Sequence, residues 1–162
     1  MKGHFISVDG IQVDPSKIKV IKNIPTLGTQ KEVQSFLGHA GYYIIFIENF
    51  SKIASPLFSL LMKDVQFTWN EACQTMLVKL KDNMSIAPIL RGTNWALPFH
   101  ISLDASNTAI GVVLGQQDGQ VPYAIYYISK NLSLTKINYT IIEKEFLAIV
   151  YSINKFRHYI TG

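Results

Sequence analysis

Apolar positions along this chain change their spacing near residue 85, and the change separates a helical half from a strand-rich half. Phe5, Ile6 and Val8 precede Asp9-Gly10, and Ile11 and Val13 follow it, so residues 3–13 predict a hairpin turning on that dipeptide. Asp14-Pro15 closes the hairpin and predicts a short helix over residues 16–21. After a loop at residues 25–28, Thr29 and Glu32 form a capping-box pattern, which satisfies two backbone N–H groups at a helix start. Val33, Phe36, Leu37, Ala40, Tyr43, Ile44 and Ile47 then recur at helical spacing and predict a helix to about residue 48. A shorter helix is expected over residues 53–62, with Ser51 as its cap. Asn70 caps a third, in which Cys73, Met76, Leu77, Leu80 and Met84 share one face.

Pro88, Gly92 and Pro98 mark a connector with some buried apolar anchors. Three strand-like runs follow, at residues 99–103, 109–114 and 122–128, with Asp118-Gly119 as a second hairpin signal. A long amphipathic helix over residues 139–158 carries Ile142, Phe146, Ile149, Val150 and Ile153 on one face. The expected organisation is an α-rich unit at 1–88, a connector at 89–96 and a β-β-β-α unit at 97–162, in the α+β class. Three strands and one helix are expected to leave a sheet face and an edge uncovered.

Composition narrows this picture only a little. Hydrophobic residues at 48% and charged residues at 16% describe a chain that builds a core, not a disordered one. The net charge of +4 permits a polyanionic partner without demanding one, and the basic residues are scattered, Lys17, Lys19 and Lys22 being the densest group. Cys73 is the sole cysteine, which excludes an intrachain disulfide or a cysteine zinc site and suits a reducing compartment. Residues 1–4 lack the apolar run of a signal peptide, and no stretch is long enough to span a bilayer. A soluble intracellular protein is therefore expected, in cytoplasm or nucleus. His4, His39, His100 and His158 show no zinc spacing, and there is no phosphate loop, nucleophile elbow or dinucleotide fingerprint.

The order of short motifs is more specific than any of them alone. Gly3-His4-Phe5-Ile6-Ser7, Val13-Asp14-Pro15, Ser35-Phe36-Leu37-Gly38 and Gly41-Tyr42-Tyr43 lie in the first half. Phe50-Ser51-Lys52-Ile53-Ala54 and Pro56-Leu57 follow. Leu103-Asp104-Ala105-Ser106, Asn138-Tyr139, Glu143-Lys144-Glu145 and Phe156-Arg157-His158-Tyr159 lie in the second. Together they resemble the Pol polyprotein of gypsy-type LTR retrotransposons over nearly the whole chain. The resemblance implies that residues 3–13 are similar to the primer-holding hairpin of a reverse transcriptase and residues 15–62 to its thumb. Residues 97–162 look like the opening strands and first helix of ribonuclease H. The paired metal-binding aspartates of the polymerase palm are expected upstream, in Pol segments missing here.

This likeness gives several residues expected roles. Gln34, Gly38 and Tyr42 stand one helical turn apart on one face. In the thumb of related polymerases such a face follows the minor groove of the template–primer duplex, glycine admitting the strand while Gln and Tyr bond and stack. The alternative is that Gly38 lets another helix pack closely and Tyr42 is an ordinary half-buried aromatic. Ile44 and Ile45 depart from the family, which usually carries arginines there, and their loss is expected to weaken phosphate contacts.

Asp104 matches the first carboxylate of the ribonuclease H metal site; read alone, it caps a turn or points to water. Glu143 and Glu145 compete for the second position. They lie about 200° apart around a helix, flanking the apolar stripe, and periodicity leaves both open. The match of Glu145-Phe146-Leu147-Ala148-Ile149 to the family pattern favours Glu145.

The implied chemistry is hydrolysis of RNA in RNA–DNA hybrids with two Mg²⁺ ions, which need several converging carboxylates. Asp104 and Glu145 supply half of the family's set. The expectation is a piece of a reverse transcriptase/ribonuclease H polyprotein that binds a nucleic-acid duplex weakly and does not turn over alone. The alternative is a non-enzymatic transposon-derived interaction protein or a pseudogene product.

Overall fold

The computed structural model describes residues 4–63 and 65–161; Gly3 of the predicted hairpin lies outside them. Strands β1 (His4–Ser7) and β2 (Gly10–Val13) pair antiparallel with Ser7 opposite Gly10, so the turn residues are Val8 and Asp9. The predicted turn is thus displaced by one residue, because Gly10 is needed in the strand. Its φ of +134° suits only glycine, and a Cβ there would run into the Leu90 carbonyl. That approach lets Ile11 and Leu90 exchange two backbone hydrogen bonds, both of 2.8 Å, and the hairpin leans on the connector.

Asp14 caps α1 (Pro15–Lys22) by accepting from the Ser16 N–H at 2.9 Å. Thr29 caps α2 (Gln30–Ala40), accepting from the Glu32 N–H at 3.2 Å. The reciprocal arm of the predicted box goes elsewhere: the Glu32 carboxylate accepts from the Gly28 N–H at 2.7 Å. The helix predicted to residue 48 keeps α geometry only to Ala40 and tightens into a 3-10 segment over Gly41–Phe46. The helix expected at 53–62 is two short pieces, α3 (Phe50–Ile53) and α4 (Ser55–Ser59), with Pro56 in the first turn of the second. Ser51 lies inside α3 and does not cap a helix. Helix α5 (Glu71–Ser85) starts on Asn70, whose side chain accepts from the Cys73 N–H at 2.9 Å, and it buries Cys73, Leu77, Leu80 and Met84. These pack with Val33, Phe36, Phe46, Phe50 and Leu57 into one core.

Strands β3 (His100–Ala105), β4 (Ala109–Asp118) and β5 (Val121–Asn131) form an antiparallel sheet in that order. Asp118 pairs with Val121, so the second turn falls on Gly119 and Gln120, and Gly119 takes the positive φ of +61°. The strands run further than predicted because buried Gln116 acts as a polar core residue. Its amide donates to the Asn94 and Leu97 carbonyls and accepts from the Asn94 N–H and the Tyr123 hydroxyl, at 2.7–2.9 Å. Gln116 thus ties the connector to the sheet, and Arg91 adds an ion pair to Asp118 at 3.2 Å and a seat over the Tyr123 ring. Two short helices unforeseen in the sequence, α6 (Leu134–Ile137) and α8 (Arg157–Ile160), flank α7 (Ile141–Lys155).

One expectation about this sheet fails. The face expected to lie bare is covered by α3 and the 3-10 segment, with Ala124 and Tyr127 of β5 packed against the helical core. The apolar stripe of α7 does not face inward. Lys144, Ala148 and Ser152 lie against the sheet, while Ile142, Phe146, Ile149, Val150 and Ile153 face outward. Ala148 and Ser152 let the helix settle closely on strands that supply Ile110, Val112 and Leu114, with Leu147 and Tyr151 packed beside them.

Candidate nucleic-acid interface and carboxylate site

Gln34, Gly38 and Tyr42 all lie exposed on the outer side of α2 and the turn after it. No heavy atom comes within 4 Å of where a Gly38 Cβ would stand, so no second helix packs there. Tyr42 is 65% exposed, and its carbonyl lies 3.1 Å from His4 Nε2 of the hairpin. His4 in turn packs edge-on against Tyr43 and Phe46, which fixes the hairpin beside this face. Ile44 and Ile45 are half-buried against the helical core.

Asp104 pairs across β3–β4 with Gly111. Strand alternation sends Ile101 and Ala105 into the small cores under α7 and turns Asp104 to the other side. There the Lys52 ammonium of α3 donates to Asp104 Oδ2 at 3.3 Å, with both side chains about half exposed (51% and 47%). Lys52 is positioned by its neighbours. The Ser51 N–H donates to Ser129 Oγ at 2.8 Å, and the Ser129 hydroxyl donates to Ser51 Oγ at 3.0 Å. Asn49, left-handed at φ 55°, lays its amide over Gly111, where any Cβ would collide with it.

Glu143 is engaged locally. Its carboxylate accepts from the Thr140 N–H at 2.7 Å and the Thr140 hydroxyl at 2.9 Å, and these bonds hold its carboxyl below the ordinary glutamate range. Thr140 accepts in return from the Glu143 N–H, completing a capping box. The signal was readable as Thr140-x-x-Glu143. Lys52 was not readable as a partner of Asp104, since 52 residues separate them. Glu145 is exposed on α7, which packs on the opposite side of β3 from Lys52. Among the described residues the ion-pair partner of Asp104 is Lys52.

Ribonuclease H-like domains of reverse transcriptases generally use a divalent metal ion. Magnesium demands near-octahedral oxygen ligation. Among the described residues no three His, Cys, Asp or Glu side chains converge, and Asp104 already faces an ammonium. The described residues do not by themselves converge on such an ion. Among the described residues no helix is long and apolar enough to cross a membrane.

Comparison with known proteins places this geometry. The chain is 37% identical over 99% of its length to the retrovirus-related Pol polyprotein from transposon opus, and 40% identical over 99% to that from transposon 297, both of Drosophila melanogaster. The Pol polyprotein from transposon gypsy of the same organism is 31% identical over 99% of the chain. The chain spans only 15–17% of the length of these relatives. Among solved structures, the foamy viral protease-reverse transcriptase dRH in complex with ds DNA superposes on all of the chain with a TM-score of 0.83 and 25% identity. The chain covers 29% of that protein. The foamy viral protease-reverse transcriptase in complex with RNA/DNA hybrid matches in fold over 96% of the chain, at a TM-score of 0.79, 24% identity and 21% coverage of its own length. These likenesses favour a Pol segment, and the alternative of a non-enzymatic transposon-derived interaction protein or pseudogene product is not favoured. The model of the RNase H-like domain found in reverse transcriptase matches residues 69–162, more than half of the chain, and to that family the chain belongs.

Proposed function

We propose that this chain serves as the stretch of a retrotransposon Pol protein where the thumb leads into the ribonuclease H-like domain, and that it holds a nucleic-acid duplex without cutting it. The thumb-like part is 1–88, the connector 89–96 and the ribonuclease H-like part 97–162. The observation that carries the reading is the open face of α2. Gln34, Gly38 and Tyr42 line an exposed ridge with free space over the glycine, in a chain that superposes on a reverse transcriptase solved with double-stranded DNA. A template–primer duplex or RNA–DNA hybrid approaches the backbone at Gly38, while Gln34 and Tyr42 offer hydrogen bonds and a stacking surface. In the parent enzyme Asp104 and Glu145 contribute two of the carboxylates for magnesium. Two carboxylates are too few to seat a pair of magnesium ions, so hydrolysis by the chain alone is not expected.

Fluorescence anisotropy with a labelled RNA–DNA hybrid tests the binding. Affinity is expected to be weak, to fall as salt rises, and to drop when Gly38→Leu fills the open space or Tyr42→Ala removes the ring. Unchanged affinity in both variants would remove the α2 face from the interface. Mg²⁺-dependent cleavage of the hybrid, lost in Asp104→Asn, would overturn the expected inactivity.

A further inference from the structure

Asp104 is the carboxylate that the family likeness assigns to a metal ion, yet the cation beside it in this chain is an ammonium. Lys52 Nζ stands 3.3 Å from Asp104 Oδ2 and comes from the helical half, 52 residues away. We infer that Lys52 guards Asp104: the docked α3 supplies a tethered cation to the carboxylate, and a divalent ion gains that carboxylate only by displacing the lysine. The inference rests on Asp104 being a metal-ligating carboxylate of the parent enzyme, and it adds a competitor for that role.

The contact is built into the joint between the two halves. Cross-strand partners share a face of the sheet, so the side that carries Asp104 is the side that its partner Gly111 leaves open. Asn49 lies in that opening, where any Cβ on Gly111 would meet its amide. Ser51 is buried and exchanges two hydrogen bonds with Ser129 of β5, at 2.8 and 3.0 Å. The two residues that fix the start of α3 to the sheet therefore stand just before Lys52, and they set its ammonium over the carboxylate. Among the described residues no three His, Cys, Asp or Glu side chains gather to offset that positive charge. A second cation meets both an occupied carboxylate and a like charge. The pair is half exposed, so it is weak enough to yield.

Amide NMR spectra of the 162-residue chain, titrated with Mn²⁺ as the probe, test the guard, because the paramagnetic ion broadens signals close to where it binds. At Asp104 and Gly111 the Mn²⁺ concentration for half-broadening is expected to fall about five-fold in Lys52→Met, the scale of an exposed ion pair. Lys52→Arg keeps a cation and is expected to behave as the parent chain does. Ser129→Ala keeps the lysine but loosens its anchor, and is expected to shift the response in the same direction as Lys52→Met, by less. Adding Asp104→Asn to Lys52→Met is expected to abolish the broadening. A response that needs Asp104 but is indifferent to Lys52→Met overturns the guard and leaves the metal-ligating reading of Asp104 standing. Broadening that persists in Asp104→Asn removes Asp104 from cation binding, and the guard falls with it. Absence of broadening at Asp104 and Gly111 in Lys52→Met also overturns the inference.

Discussion

Helices α5 and α7 are both 15 residues long and both begin on a side-chain cap, yet they spend their large apolar residues in opposite directions. Helix α5 lies among α1, α3 and α4, and the grooves between these cylinders admit Leu77, Leu80 and Met84. Helix α7 lies on a sheet and presents Ala148 and Ser152 inward, leaving its bulkier side to the outside. The cores differ accordingly. Among the described residues, nineteen buried ones join in a single cluster around α5, while the sheet half has one cluster of five and one of three. The helical half should therefore hold its slowest-exchanging amides. The lesson is that an amphipathic period reports an apolar face without saying what covers it.

The sharpest test sets Leu77→Ala against Phe146→Ala. Leu77 is fully buried, and its truncation is expected to cost about 2–5 kcal/mol in urea unfolding. Phe146 is 64% exposed, and at concentrations below any association its truncation should cost no more than about 0.5 kcal/mol. Equal losses would erase the contrast between the two helices.

Next in size come the joints between regions. Gln116→Leu strands the connector groups that its amide satisfies, at a cost of about 1–3 kcal/mol in chemical denaturation. Gly111→Ala drives a methyl into the Asn49 side chain and is expected to cost about 1–3 kcal/mol. Adding Asn49→Gly should recover part of that loss, and a double-mutant cycle without coupling would mean that the two halves do not meet there.

Smaller still is Lys52→Met. Its ion pair with Asp104 is half exposed, so a change of at most about 1 kcal/mol is expected, shrinking as salt rises. The smallest effect concerns pH. Because hydrogen bonds from Thr140 depress the Glu143 carboxyl, its contribution is complete above its ordinary value of 4.5 and is lost as pH falls through the lower folded value. Glu143→Gln should therefore flatten the acid limb of thermal stability below pH 4.5. An acid limb identical to that of the parent chain would rule this role out.

Most elements were legible because local chemistry announces them. The Asp14, Thr29 and Asn70 caps sit where their short side chains imply, and the heptad-like apolar run of α5 is buried as its spacing suggests. Turn positions slipped by one residue at both hairpins. At Gly10 the cause is tertiary: glycine there serves the approach of Leu90, a demand that no local pattern records. The side of α7 that meets the strands was left open by the apolar period, and Lys144, Ala148 and Ser152 take it. At the carboxylate site, the family likeness supplied Asp104 and Glu145. The Lys52 contact, the Ser51–Ser129 bridge and the Asn49–Gly111 approach join residues 52 to 78 positions apart, and linear spacing carries no trace of them.

The three-stranded sheet has two unlike borders. On β5, Pro122 has no N–H to extend a ladder, and part of the strand lies beneath α3 and the 3-10 segment. On β3 the outer backbone is open, with His100, Ser102 and Asp104 exposed along it. Among the described residues both borders are edge strands, and they differ in what they present: Pro122 removes a donor from β5, whereas β3 sets out a polar row of His100, Ser102 and Asp104.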